Sequence, residues 1–343
     1  MRELLNTLFV TTERAYLHLD HDTIRMEAGS EKVLKMPLLH LGAIVCFGDI
    51  LISSQLLHRC AEDGRSVVLL DRNGRFKARL EGGTNGNVLL RRAQHLALSD
   101  DAATLAIARH CVAGKIQNSR HSLLRGARDA TNAAEKLRLS DAAVALATGL
   151  ERVGRCTDIE ALRGYEGDAA RSYFAAFDAM IREDRAAFYL RGRTRRPPLD
   201  RVNALLSFLY MLLLGDCVAA VEGVGLDPQV GYLHVLRPGR PALGLDVMEE
   251  LRSVLADRLA LSLINRRQVQ AAHFTEHEGG AVYLNDAGRR EVITAYQKRK
   301  QDETMHRVLD KKVPLGLIPH IQARLLARHL RNDVPHYLPF LSK

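Results

Sequence analysis

The 343-residue sequence predicts an α+β protein: a small β-rich N-terminal domain (residues 1–82), a linker (83–87) and a larger all-α C-terminal domain (88–343). Three observations carry this. The apolar period is near two up to about Leu80 and near 3.6 afterwards. The change falls at Gly82-Gly83-Thr84-Asn85-Gly86-Asn87, whose glycines and asparagines suit neither helix nor strand. Charge divides at the same place: Met1 to Gly86 holds 11 Lys plus Arg against 11 Asp plus Glu, so the remainder, 38 against 29, carries the whole net charge of +9.

In the first domain LFVTT, AYLHLD, TIRMEA, KVLKMP and AIVCFG are short runs rich in β-branched and apolar residues, separated by turn residues such as His21-Asp22 and Gly29-Ser30. One helix interrupts them: Ser53 or Ser54 caps QLLHRCAEDG, which Gly64 ends. SVVLLD then reaches Asn73-Gly74, a hairpin signal, before RFKARLEG. No catalytic set is visible here, so the expected role is structural or dimer-forming.

The second domain reads as amphipathic helices: VLLRRAQHLAL, AATLAIARHCVAGKIQNSRHSLLRGA capped by Ser99, Asp100 or Asp101, and TNAAEKLRL. Glu166 is expected at the start of the helix of LRGYEGDAARSYFAAFDAMI. Gly164 and Gly167 there are small enough for another helix to approach, although a glutamate in that place also simply favours a helix N-terminus. Asp200 caps VNALLSFLYMLLLGDCVAAVEG, apolar almost all round and hence a buried central helix; its Ala204 to Leu214 stretch is shorter than the roughly 20 residues of a membrane span. AVYL after Gly279-Gly280 reads as a short hairpin. The tail from Lys298, including Lys300, is basic and reads equally as a surface that tracks phosphates or as a solvated helix face.

Composition is that of an ordinary globular protein, with no tryptophan and no low-complexity tract. The N-terminal MRELLNTLFVTTER lacks the apolar run of a signal peptide, and the five cysteines form no Cys-x-x-Cys pair; both fit the reducing cytoplasm, with no membrane partner. The basic second domain is expected to meet a polyanion.

Two stretches carry candidate chemistry. In GYLHVLRPGRPALGLDVMEE, from Gly231 to Glu250, a turn brings His234 towards a helix carrying Asp246, Glu249 and Glu250 on one face. One imidazole and several carboxylate oxygens can hold a divalent cation, given a further ligand from elsewhere. Arg191, Arg193, Arg195 and Arg196, with Arg201, surround a Pro-Pro corner as a flexible loop suited to bidentate phosphate contacts; Arg237 and Arg240 flank the second turn. His273, Glu276, His277 and Glu278 lack a zinc-type spacing and read as a polar loop.

RGYEGDAARSYF at Glu166, RRPPLDRVNALLSFLY at Arg195 to Tyr210, and GYLHVLRPGRPALGLDVMEELR at Gly231 to Arg252 occur in one order. The chain so read resembles the CRISPR-associated integrase family of spacer acquisition, the Cas-one family, in details most like the type I-C branch. The resemblance implies a metal-dependent DNA endonuclease and integrase that inserts short foreign DNA as new spacers through attack of a 3′-hydroxyl on a phosphodiester. It implies catalytic metal ligands at Glu166, His234 and Glu249, with Asp246 and Glu250 as further candidates, and magnesium or manganese as the ion. It also implies a homodimer formed through the N-terminal domain, a ferredoxin-like Cas-two partner, and DNA, both prespacer duplex and CRISPR repeat, held by the arginines. Two other readings are a metal-dependent nuclease of branched DNA in repair and a non-catalytic basic DNA-binding protein.

Overall fold

The computed structural model describes residues 7–29, 31–72, 76–80 and 88–342. The chain forms two compact units, Met1–Gly86 and Asn87–Lys343.

The first unit runs β1 (Thr7–Val10), β2 (Tyr16–Asp20), β3 (Thr23–Ala28), β4 (Glu31–Pro37), β5 (Ala43–Phe47), β6 (Leu51–Ile52), α1 (Ser54–Glu62), β7 (Ser66–Leu70) and β8 (Phe76–Leu80). It holds two four-stranded sheets, in the orders β1-β5-β7-β8 and β4-β3-β2-β6. In the first sheet β1, β5 and β7 are parallel and β8 closes the edge antiparallel. Alternation places Leu17, Ile24, Ile44, Cys46 and Val67 in one core with Leu56 and Cys60 of α1. Ser53 caps α1 by accepting from the Leu56 amide, and Gly64, at φ +64°, turns the chain out of it. The two-residue β6 escaped the sequence because it is too short to show a period. The Asn73-Gly74 turn and the 83–87 linker lie outside the described residues.

The second unit is mainly helical: α2 (Val88–Leu98), α3 (Asp101–Asp129), α4 (Ala133–Gly154), α5 (Ile159–Phe177), α6 (Arg201–Gly223), α7 (Ala242–Glu249), a π-helical turn (Arg252–Asp257), α8 (Arg258–Asn265), β9 (Phe274–Glu276), β10 (Val282–Leu284), α9 (Asp286–Gln301), β11 (Glu303–His306), β12 (Lys311–Pro314) and α10 (Ile318–Leu330). Side-chain caps start five of these helices: Asp100, Asn132, Asp158, Asp200 and Asn285 each accept from a backbone amide of the first turn. The post of this unit is α6, against which α7, α10 and the π-helical turn pack. It is long and apolar enough to cross a membrane by length and composition, yet Leu205, Leu206, Leu209, Leu213 and Cys217 are fully buried within the protein.

Two expectations are corrected here. The second unit is helical but not all-α: besides the expected β9–β10 hairpin it contains an antiparallel β11–β12 ribbon within the basic tail. Four-residue strands of mixed polarity carry no period that separates them from a helix face. Lys300 does not face solvent; it is buried, with Nζ 2.9 Å from Asp216 Oδ1 and over the Tyr296 ring. After Glu250 the chain follows a π-helical turn before α8 resumes, a geometry periodicity cannot signal.

Candidate catalytic site

Glu166 lies in the middle of α5, eight residues beyond the Asp158 cap, so it does not serve the helix N-terminus. Gly164 and Gly167 do not admit a neighbouring helix either, for a Cβ on each would meet open space. What engages Glu166 is Lys115, from the middle of α3. Its ammonium forms an ion pair with Glu166 and another, at 2.6 Å, with Oε2 of Glu249 on α7. Lys115 escaped the sequence reading, although a signal existed: it interrupts the apolar face of α3 between Val112, Ile116 and Ser119, all buried.

The other half of the site begins with a close approach. A Cβ on Gly231 would fall 2.6 Å from the carbonyl carbon of Ala242 and 2.7 Å from the Leu243 nitrogen, so only glycine lets this segment lie against the first turn of α7. The next three amides then reach one carboxylate: Tyr232 and Leu233 donate to Asp246 Oδ2 at 2.6 and 3.0 Å, and His234 donates to Oδ1 at 3.1 Å. Oδ1 also meets His234 Nδ1 at 2.7 Å. An ionised carboxylate only accepts, so Nδ1 carries a proton, and Nε2 is the ring atom that presents a lone pair whenever the imidazole is neutral. That Nε2 points to Glu249 Oε1, 3.5 Å away.

Glu249 is buried and surrounded by cations. Burial pushes its carboxyl up, but Arg252, whose Nη2 lies 2.9 Å from Oε1, together with Lys115 and His234, outweighs burial and holds it below the usual carboxylate range. Burial likewise works against the Arg252 guanidinium, yet Glu249, Tyr210 and Asp257 leave its pKa raised. The cation lies over the Tyr210 ring at 4.8 Å. Behind it Tyr210 and Tyr173 donate to the two oxygens of Asp257 at 2.6 and 3.0 Å, and burial raises that carboxyl to about 6 despite these bonds.

The three acids near His234 therefore do different things. Asp246 fixes the histidine, its oxygens already taken by four donors. Glu249 faces the histidine and Lys115. Glu250, one residue on, turns away: it accepts from Tyr337, from the Phe340 amide and, at 3.2–3.3 Å, from Gln322. Burial raises its carboxyl to about 7.

Among the described residues no three His, Cys, Asp or Glu side chains stand close enough together to hold a metal ion as they are. The donor set nevertheless suits one. The Lys115 ammonium already holds a positive charge between Glu166 and Glu249, and the His234–Asp246 pair has the arrangement that orients an imidazole for a cation. With a divalent cation in place of the Lys115 ammonium, Glu166, Glu249 and His234 would offer two carboxylates and an imidazole, a set that suits magnesium or manganese.

The arginines divide. Arg193 is no flexible phosphate contact: it donates to Asn203 Oδ1 and, at 3.2 Å, to Ser207, and lies over the rings of Phe174 and Tyr210. Burial lowers its pKa. Arg191, Arg195, Arg196 and Arg237 are exposed, and Arg240 is half-buried with Nη1 3.3 Å from the Val235 carbonyl. Arg195 also lines a small cavity with Lys115, Tyr210 and Arg252.

The fold of this chain is shared with solved structures of other proteins. The structure matches a solved Cas6-RT-Cas1–Cas2 complex over 99% of this chain and 36% of that one, with a TM-score of 0.83 and 24% identity. It also matches a casposase bound to integration product over 98% of this chain and 93% of that one, with a TM-score of 0.82 and 20% identity. The model of the family described as CRISPR associated protein Cas1 matches residues 8–298, and the chain belongs to that family. A relative from Moorella thermoacetica, CRISPR-associated endonuclease Cas1 1, is 59% identical over 343 residues, covering 100% of both chains.

Proposed function

We propose that the chain is a metal-dependent DNA endonuclease and integrase of CRISPR adaptation, acting through Glu166, His234 and Glu249. The observation that carries this reading is a pair of carboxylates from two helices sharing one cation, beside a histidine whose proton is fixed by a third carboxylate. The relative's name, an endonuclease, and the likeness to a casposase solved with its integration product support it.

A bound magnesium or manganese ion supplies the positive charge that polarises a phosphoryl oxygen and eases deprotonation of the attacking 3′-hydroxyl. The chain's residues prepare for it. Asp246 keeps the His234 proton on Nδ1 and Nε2 free, Arg252 keeps Glu249 ionised, and Lys115 neutralises Glu166 and Glu249 when no other cation does. Lys115, paired with Glu166 and Glu249, and the exposed Arg195, which lines one cavity with Lys115, attract a phosphodiester that the two carboxylates alone would repel. Arg191, Arg196, Arg237 and Arg240 hold the flanking strands, whereas Arg193 holds the protein.

The reading extends to the type I-C branch, supported by the three sequence motifs, and to the cytoplasm, supported by the absence of a Cys-x-x-Cys pair and five buried free thiols. It includes a Cas2-type partner, which the complex among the structural neighbours supports. It also includes homodimerisation through the first unit, whose Leu39, Leu51 and Phe76 are exposed at 79%, 67% and 59%.

The test is strand transfer from a labelled duplex with 3′-hydroxyls into a supercoiled repeat-bearing plasmid, with manganese or magnesium and with or without the small partner. Wild type joins the label and Glu166→Ala does not. Nicking without joining favours a nuclease of branched DNA; equal behaviour of both proteins removes Glu166 from the chemistry and favours a non-catalytic binding protein.

A further inference from the structure

Away from the acid cluster, a cleft of about 720 Å³ opens between the C-terminal half of α3, the π-helical turn with the start of α8, and Ser342. Its size falls in the range of small-ligand sites. Arg125 and Arg128 on α3 and Arg258 on α8 line it. Among the described residues none of the three has a carboxylate within ion-pairing distance. Asp129, the one acid on the wall, pairs with Arg182 at 3.8 Å instead. Arg258 is half-buried, and burial, then Arg125 and Arg299, lowers its pKa to about 10. Burying a guanidinium among like charges opposes folding. A cluster like this differs from the paired arginines elsewhere in the unit, such as Arg185 with Glu135 and Asp178 or Arg267 with Glu183.

We propose that this cleft is a phosphate-binding site, in which Arg125, Arg128 and Arg258 grip one or two phosphate groups of a nucleic-acid strand or of a free phosphorylated ligand. Guanidinium forks match phosphate oxygens bidentately, and Arg125 and Arg128 are i,i+3 neighbours about 5–6 Å apart at Cβ, so both reach the same space. Ser122 and Ser253 add hydroxyls to the wall, and the buried Ser253 hydroxyl has no hydrogen-bond partner among the described residues. The site is tied to the catalytic centre through shared elements. Lys115 lies ten residues earlier on α3, about 15 Å along the axis, and the π-helical turn that starts with Arg252, the Glu249 partner, ends where Arg258 begins. A stacked strand covers that distance in roughly four to five nucleotides.

This inference rests on the reading of the chain as acting on DNA. Its test is binding of fluorescent single-stranded dT12 by the full chain and by Arg125→Gln/Arg128→Gln as a function of salt. Both side chains are exposed, so the variant folds, and relief of the repulsion on Arg258 leaves its melting temperature unchanged or higher. The expected result is roughly tenfold weaker binding and a salt slope smaller by about 1.4, the single-strand value for two lost contacts. Displacement of dT12 by millimolar inorganic phosphate assigns the cleft to a phosphate group as such; displacement only by further strand assigns it to a phosphodiester backbone. Equal affinity and slope for wild type and variant overturn this site alone, as does a variant whose loss of binding comes with a fallen melting temperature. Failure of wild type to bind any strand overturns both the DNA reading and this site.

Discussion

Replacing Lys115 by methionine isolates the central claim about the site, that its ammonium holds the place of a cation. Removing one partner of a buried ion pair costs about 3–5 kcal/mol because the other charge is left uncompensated. Here the low end applies, since Glu249 keeps Arg252 at 2.9 Å and the Glu166 side chain, 27% exposed, can hydrate. About 3 kcal/mol corresponds to a fall in melting temperature of roughly 6–12 °C for a domain of this size. The second half of the prediction concerns metal. In wild type a divalent ion has to displace the ammonium, whereas in Lys115→Met it enters two vacant carboxylates. Manganese at about 100 times its dissociation constant stabilises a protein by about 2.7 kcal/mol, so thermal unfolding with and without manganese should show recovery of most of the loss in the variant and a smaller gain in wild type. Lys136→Met, an exposed lysine on α4, serves as the control and should respond to neither. An unchanged melting temperature in Lys115→Met, or a larger manganese gain in wild type, would refute the reasoning.

Other outcomes follow from the same geometry. Asp246→Asn keeps the shape of the carboxylate but sets an amide donor either against the Tyr232 and Leu233 amides or against the His234 amide and Nδ1, so strand transfer should fall by about 10–100-fold; undiminished activity would show that the histidine needs no orientation. Glu250 gives a pH signature. Its folded pKa of about 7 exceeds the ordinary 4.5, so the unfolded chain releases this proton first and wild type loses stability as pH rises from 4.5 to 7, by about 3 kcal/mol. Glu250→Gln lacks that loss, so in urea unfolding the stability of wild type relative to the variant should fall between pH 5 and pH 8; a difference that does not change with pH argues that Glu250 titrates normally. Arg196→Gln should lower the salt slope of duplex binding by about 0.9 and leave stability unchanged, whereas Arg193→Gln should destabilise and leave the slope unchanged; the reverse pattern would undo the division of the loop.

The residues of the site differ in how readable they were, and the difference has physical causes. His234, Asp246 and Glu249 lie within sixteen residues and are brought together by one turn and one short helix, so local spacing was enough to group them. It did not separate their roles. Glu249 and Glu250 are adjacent at the end of α7 and equally acidic, yet a rotation of about 100° per residue sends one to His234 and the other to Tyr337 and the C-terminal segment. Asp246 was legible as an acid near a histidine, but its function depends on three backbone amides, which a sequence does not display, and on the contact of Gly231 with the α7 backbone. Glu166 was found through motif resemblance, while the explanation offered from its glycines failed because nothing packs on them.

Lys115 shows most clearly what pattern reading leaves out. Its helix was expected and its place on the apolar face was visible, but a lysine on a buried face has many solutions, most of them a stem lying along the core with a solvated head. What selects this one is the convergence of α3, α5 and α7, elements separated by 51 residues or more between Lys115 and its nearer acid. The same long-range dependence governs Arg193 and Arg196. Three residues apart in one basic loop, they are equivalent by composition. One finds Asn203, Tyr210 and Phe174 within reach and becomes part of the interior, and the other is exposed. Charge counting located the basic unit correctly but overstated its free charge, because Arg193, Arg252 and Lys300 are committed to the protein's own carbonyls, carboxylates and rings. The arginines left for phosphate are those that no internal partner claims, and by that criterion Arg125, Arg128 and Arg258, which no motif marked, rank with Arg195 and Arg196.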